Sequence, residues 1–439
     1  MGWGHGCIMQ TVINSLPSEE KPPRGSFHGD QPGSNRTDRG VLAAILRRTI
    51  RQGSLSVIDW RGHRETYGDG AGPRVCIRIH DSGTAWKLLL DPESELGEAW
   101  MEGTVTVEEG NLRSLLSLLF RSLGTKTADH ASARIHACLR NLSRRVLQIN
   151  TPARSRGNVA RHYDLSGRLY ELFLDADRQY SCGYFKTGDE MLEECQRLKK
   201  RHLAAKLLLH PGQKVLDIGS GWGGLGLTLA REHGVEVTGV TLSEEQLEYS
   251  NLRARNEGLA EKVRFLFRDY RGETGLYDRI ISVGMFEHVG VNHYGAFFRK
   301  VSSLLRKGGV ALLHTIGRSD GPGHTNPWIA RHIFPGGYAP ALSEVLPAIE
   351  RSGLLVSDIE ILNGSHYART LALWEERFQR VRTEISRLYD ERFCRMWEFY
   401  LTASEQSFLH RGLTVFQIQM TNDPGAVPAT RDYIAAAEA

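Results

Sequence analysis

The chain has 439 residues, 41% of them hydrophobic and 24% charged, with a formal net charge of +4. That is enough for two folded parts with an ordinary core, and too evenly balanced in charge for a dedicated nucleic-acid binder. No apolar run approaches the roughly 20 residues needed to cross a bilayer, so any membrane contact is expected to be peripheral. Six cysteines (Cys7, Cys76, Cys138, Cys182, Cys195, Cys394) show no C-x-x-C pair or zinc spacing, and no secretory apolar segment precedes them. They point to a reducing cytoplasm.

Residues 1–38, rich in Pro, Gly, Ser and charge, lack an apolar period and read as a mobile tail. From Val41 the pattern turns helical. It then becomes strand-like in SLSVIDWRGHRETYGDG and in RVCIRIHD, where Val75, Ile77 and Ile79 share one face. The stretches AWKLLLDPESELGEAWMEG and TVTVEEGNLRSLLSLLF complete a small α+β domain over 39–124. A connector, 125–160, carries Arg134, Arg140, Arg144, Arg145, Arg154 and Arg156 with few nearby acids. It reads either as a surface for anionic phospholipid headgroups, at about 1 kcal/mol per basic residue, or as a solvated helix and linker. After residue 200, strand-like runs (KVLDIGS, VEVTGVT, VRFLFRD, RIISVGM, VALLHTI) alternate with helical ones such as EEQLEYSNLRARNEG and YGAFFRKVSSLLRKG. This alternation predicts βαβ units on a parallel sheet, with ligands at the carboxyl ends of the strands. Residues 426–439 read as a C-terminal tail.

The run VLDIGSGWGG, Val215 to Gly224, ends a strand in an acidic residue and then breaks into closely spaced glycines. Gly219, Gly221 and Gly224 satisfy G-x-G-x-x-G, a turn that lets backbone N–H groups approach a ligand. A dinucleotide site also wants an acidic residue at the end of the next strand, about 20 residues on. Thr241 stands there instead, and the acid, Asp217, precedes the turn. The pattern D-x-G-x-G resembles motif I of class I S-adenosylmethionine (SAM) methyltransferases.

From Arg161 onward the chain resembles the cyclopropane-fatty-acyl-phospholipid synthases, a SAM-dependent family that includes the mycolic acid cyclopropane synthases. The resemblance rests on HYDLSGRLYELFLDADRQYSCGYF, VLDIGSGWGG, GVTLSEEQ, RDYRGE, ISVGMFEHVG, LLHTIG, NPWIARHIFPGG and HYARTLALWEERF, in that order. It implies an α/β class I SAM methyltransferase domain (Rossmann-like, mostly parallel sheet) over 161–425, with 39–124 as a smaller lipid-associated domain. The implied reaction transfers the methyl carbon of SAM to a cis double bond of unsaturated acyl chains in membrane phospholipids, closing a cyclopropane ring. The alternative product is a methyl-branched or methylene acyl chain. The implied setting is the inner face of the membrane, with peripheral attachment to its anionic surface, no nucleic acid, and a homodimer left open as the assembly.

By the same resemblance, Gly219, Gly221 and Gly223 approach the methionine part of SAM, with Asp217 before the turn. Thr241, Leu242 and Gln246 contact its ribose and adenosine, and Tyr270 and Arg271 its adenine. Ser243 and Gln246 also read as a capping box, and Asp269 as an N-cap. Tyr180 and Ser181 would close over the sulfonium, a cation that aromatic faces stabilise. Taken alone, such a Tyr-rich stretch reads as core. Cys182, Glu287, His314 and Tyr367, with the backbone of Ile316, surround a bound bicarbonate in the family. Bicarbonate is wanted as a general base for the methyl proton, because a protein carboxylate beside a carbocation would risk alkylation. Glu287 and His288 lack any H-E-x-x-H spacing, so no metal is expected. Two positions depart from the pattern: Ser404 stands where several members carry a cysteine, and His366 where an acidic residue is frequent.

Overall fold

The computed structural model describes residues 35–124, Arg140, Gln148 and 167–438. Most of the N-terminal tail and of the basic connector therefore lies outside the described residues. Arg140, the one connector arginine described, is paired with Asp91 and, at 2.7 Å, with Glu93.

In the N-terminal domain, helix α1 (Asn35–Thr49) begins before Val41, in the polar run NRTDRG that has no apolar period to reveal it. Strands β1 (Ser54–Ile58), β2 (Arg64–Tyr67) and β3 (Arg74–Ile79) follow, then helices α2 (Ser82–Leu90) and α3 (Pro92–Glu102), strand β4 (Val105–Glu109) and helix α4 (Leu112–Leu123). The sheet order is β2-β1-β3-β4. Val75, Ile77 and Ile79 share its core with Leu55 and Leu115. The stretch from Ala85 to Gly103 divides at Asp91, because Pro92 opens the next helix at a position that needs no amide donor.

The larger domain runs through α5 (Gly167–Phe173), α6 (Leu192–Leu207), β5 (Lys214–Ile218), α7 (Gly224–His233), β6 (Glu236–Thr241), α8 (Glu244–Asn256), β7 (Val263–Phe267) and β8 (Tyr277–Val283). It continues through α9 (Tyr294–Leu304), β9 (Leu305–Arg318), α10 (Pro327–His332), α11 (Leu342–Glu350), β10 (Leu355–Leu362), α12 (Gly364–Arg380), α13 (Arg382–Leu388), α14 (Glu391–His410), β11 (Leu413–Thr421) and α15 (Asp432–Glu438). Its sheet order is β10-β11-β9-β8-β5-β6-β7. Strands β7, β6, β5, β8 and β9 are parallel, and β11 enters antiparallel between β9 and β10. One face packs Leu216, Ile280 and Leu313 against α9 and α11. The other packs Val215, Ile281 and Leu312 against α6 and α7. Covering both faces of a parallel sheet is what makes its strands read as continuous apolar runs.

A third core cluster joins the two domains, placing Met101, Leu112 and Leu116 with Trp328, Trp374 and Trp397. Gly97 of α3 lies so close to the Trp328 indole that a Cβ there would come within 2.6 Å of it. Across the same seam Arg113 donates to Glu405 at 3.0 Å and to Glu375 at 2.9 Å. The expected C-terminal tail is corrected by α15, which packs on α6. There Glu438 pairs with His202 and Lys186, and the Tyr433 hydroxyl meets Gln419. Those partners lie far away in sequence, so the short helix gives no sign of them.

Candidate active site

A cleft enclosing about 1140 Å³, counting its open mouth, lies at the carboxyl ends of β5, β6 and β8. Tyr180, Ser181, Asp217, Gly219, Gly221, Thr241, Leu242, Gln246 and Tyr270 all line it. The turn after β5 takes positive φ at Gly219 (82°), Gly221 (53°) and Gly223 (82°). A Cβ on Gly219 would meet Met285 at 2.7 Å, whereas one on Gly221 would meet nothing within 4 Å. Gly221 therefore leaves room in the cleft, and Gly219 is required by packing. Asp217 is buried, with one carboxylate oxygen lacking a hydrogen-bond partner among the described residues, as does the buried Ser220 hydroxyl. Burial raises the Asp217 pKa to about 7, with the charge of Lys199 acting against it.

At the end of β6, the Thr241 hydroxyl donates to Gln246 Oε1 at 3.0 Å and accepts the Ser243 N–H at 3.2 Å. The Ser243 hydroxyl caps α8 through the Gln246 N–H, but the Gln246 side chain turns to Thr241. Only half of the expected capping box forms. Asp269 caps the short turn Tyr270–Gly272 and holds Arg271 at 2.6 Å. Arg271 and Gly223 are absent from the cleft lining. A Cβ on Gly223 would run into Ser250 at 2.7 Å and Phe265 at 2.8 Å, so this glycine serves the packing of α7 beneath the turn.

Several lining residues were not assigned to the cofactor site from the sequence. Arg178 takes φ of 53°, uncommon for a side chain with a Cβ, and sets its guanidinium 4.0 Å from the Tyr249 ring centroid and 5.1 Å from that of Trp222. Gln179, Trp222 and His288 also line the cleft, and burial lowers the His288 pKa to about 4. Lys199, only 1% exposed, donates to Gln179 Oε1 at 2.7 Å and to the Ser181 hydroxyl at 2.8 Å. Its burial lowers its pKa to about 8, and its charge acts on Asp217, Cys182 and His314 alike. Tyr180 is both lining and core: it stacks on Trp374 with centroids 5.1 Å apart, and its hydroxyl meets that of Tyr400 at 2.8 Å.

None of Cys182, Glu287, His314, Ile316 and Tyr367 lines this cleft; all are buried except Ile316, which is half-buried. Glu287 and Ile316 are brought together, the Ile316 N–H donating to Glu287 Oε1 at 2.6 Å. The other Glu287 oxygen is buried without a hydrogen-bond partner among the described residues, and burial raises the pKa to about 7. His314 instead meets the Gln417 amide at 3.2 Å. Burial, with the charges of Lys199, Lys206 and His202, holds its pKa well below the usual histidine value. Cys182 is wholly buried and its thiol pKa is pushed strongly upward, so it is no thiolate nucleophile. Tyr367 packs on Phe408 and Trp374. His366 stacks near Tyr184 and accepts the Phe185 N–H at 3.1 Å. Ser404 is half-buried on α14.

The family described as mycolic acid cyclopropane synthetase matches residues 150–418. The chain belongs to that family. A domain of unknown function matches residues 41–130. The chain is 36% identical over 351 residues to the cyclopropane-fatty-acyl-phospholipid synthase of Escherichia coli, covering 80% of this chain and 88% of that one. It is 32% identical over 420 residues to a tuberculostearic acid methyltransferase of Mycobacterium tuberculosis, covering 90% and 96%. The solved mycolic acid cyclopropane synthase CmaA1, in complex with SAH and CTAB, superposes with a TM-score of 0.57 at 33% identity, covering 60% of this chain and 97% of that one. This member of the family is thus a SAM-dependent methyltransferase of class I fold, related to enzymes of lipid cyclopropanation. Among the described residues, no helix is long and apolar enough to cross a membrane.

Proposed function

We propose that this enzyme transfers the methyl carbon of SAM to a cis double bond in an unsaturated phospholipid acyl chain and closes a cyclopropane ring. The balance is one methyl carbon gained, one carbon–sulfur bond broken and one proton released. The cleft suits SAM: the unsatisfied Asp217 oxygen and Ser220 hydroxyl offer acceptors, and the open side of Gly221 offers room. When bound, SAM supplies an electrophilic methyl group. Tyr180 and Ser181 close the cleft beside it, with Ser181 fixed by Lys199.

The observation that carries the ring-closing reading is Glu287. One oxygen is tied to the Ile316 N–H at 2.6 Å, while the other is buried and unsatisfied among the described residues. Such a group is costly unless something hydrogen-bonds to it. Bicarbonate fits that need, because its O–H can donate to the unsatisfied carboxylate oxygen. Bicarbonate held by Glu287 and His314, with Cys182, Tyr367 and the Ile316 backbone around it, would supply a general base for the methyl proton. The second reading, a methyl-branched or methylene product, is favoured by the likeness to a relative named for tuberculostearic acid.

Lipids from a host expressing the chain would be analysed by mass spectrometry and NMR. A gain of 14 Da per modified chain, with cyclopropyl proton signals, is expected. A 14 Da gain with branched methyl or methylene signals would replace the ring by the second reading, and no gain would refute methylation of acyl chains. In the purified enzyme, stripping dissolved bicarbonate should slow turnover reversibly. An unchanged rate and product would remove bicarbonate from the site.

A further inference from the structure

We propose that Gln417 and Lys206 are positioning residues that lock His314 in the neutral tautomer whose proton sits on Nε2. The inference rests on the reading of His314 as a contact of the general base.

The register of β11 against β9 places Gln417 directly opposite His314. The Gln417 amide has Lys206 Nζ on one side, 2.7 Å from its Oε1, and His314 Nδ1 on the other, 3.2 Å from its Nε2. A lysine ammonium has donors and no acceptor, so the amide oxygen must face Lys206. Its NH2 must then face His314. An amide NH2 only donates, which makes Nδ1 the acceptor and assigns the ring proton to Nε2. Lys206 is itself paired with Glu360 of β10, whose charge opposes the lowering of its pKa by burial, and His202 also reaches Glu360 at 2.7 Å. The other nitrogen of His202 meets Glu438 of α15. The Gln419 amide fixes the backbone of α6, donating to the Lys206 carbonyl at 2.6 Å.

Stability does not explain this chain of groups. A lysine at 0% exposure pays a desolvation cost that apolar residues of similar volume would avoid. What it does accomplish is orientation. A fixed Nε2–H can donate to an oxyanion, whereas the opposite tautomer would present a lone pair and repel it. Gln417, Lys206 and Glu360 come from three separate elements, and together they set the polarity presented to His314.

Enzyme labelled with 15N-histidine would be read by long-range 1H–15N correlation. His314 would be assigned, among the 17 histidines, by its loss in a His314→Gln variant. The expected wild-type pattern is Nε2 protonated and Nδ1 bare. Gln417→Glu puts an acceptor opposite Nδ1, so it should move the proton there and lower kcat by about 10-fold or more, with KM for SAM nearly unchanged. If that variant does not fold, Lys206→Met frees the amide to turn and should give a mixture of tautomers. A wild-type Nδ1–H pattern, or a spectrum that neither variant changes, overturns the lock whatever the activity does. A moved proton with unchanged kcat overturns its catalytic purpose and removes His314 from the reaction, while the proposed transfer of a SAM methyl group to lipid is judged separately by the lipid products.

Discussion

Replacing Glu287 by Gln should cost activity and add stability, with the gain in stability growing with pH. The carboxyl is buried, and its pKa is raised from 4.5 to about 7. Because the folded-state value lies above the unfolded one, the group costs the fold nothing below about pH 4.5. Between there and about pH 7 the unfolded chain ionises first and stability falls. Above about pH 7 the full cost is present: (7 − 4.5) × 1.36, or roughly 3 kcal/mol. A glutamine at 287 retains a carbonyl oxygen for the Ile316 N–H and never ionises. The variant should therefore lie within about 1 kcal/mol of wild type near pH 5 and exceed it at pH 8 by up to about 3 kcal/mol. Urea unfolding in the absence of SAM, run from pH 5 to pH 8, measures the difference, and methyl transfer measured alongside should fall by about 10²-fold. A stability gain that stays flat or shrinks as pH rises would refute the desolvated carboxyl. Full activity with the expected stability gain would refute only its catalytic role.

Gly221→Ala should weaken SAM binding by calorimetry at least tenfold, by roughly 1.4 kcal/mol, because its Cβ enters open cleft and not protein. Its positive φ adds a folding cost of only about 1 to 2 kcal/mol, so a variant that binds SAM normally would remove the glycine turn from the cofactor site. The arginines of residues 125–160 other than the paired Arg140, together with the N-terminal domain, should carry the enzyme onto anionic vesicles in co-sedimentation, with binding that weakens as salt rises. Equal binding to neutral vesicles, or insensitivity to salt, would refute electrostatic docking.

The parallel strands, the glycine turn and the D-x-G-x-G signature were legible because each is a local pattern. Apolar runs announce strands covered on both faces, and Asp217 before the turn, with Thr241 after the next strand, separates SAM from NAD by position alone. Motif resemblance named Glu287 and the Ile316 backbone for one site, but neither their direct hydrogen bond nor the partner of His314 was legible, because Gln417 belongs to a strand absent from the sequence prediction. In β11, Gln417 and Gln419 interrupt the apolar residues and suggest a wet face, yet both are fully buried. Helix α6 shows the same burial of polar groups. Cys195, Lys199, His202 and Lys206 recur at helical spacing, three of them polar or charged, and every one of them is buried. A charged group can be buried only where distant chain supplies its partners, and here these are Ser181, Glu360, Gln417 and Glu438. The chain's local chemistry determined which cofactor and which fold. Tertiary structure alone decided which polar side chains leave water and what they then hold in place, since neither burial nor a partner hundreds of residues away is a property of any local segment.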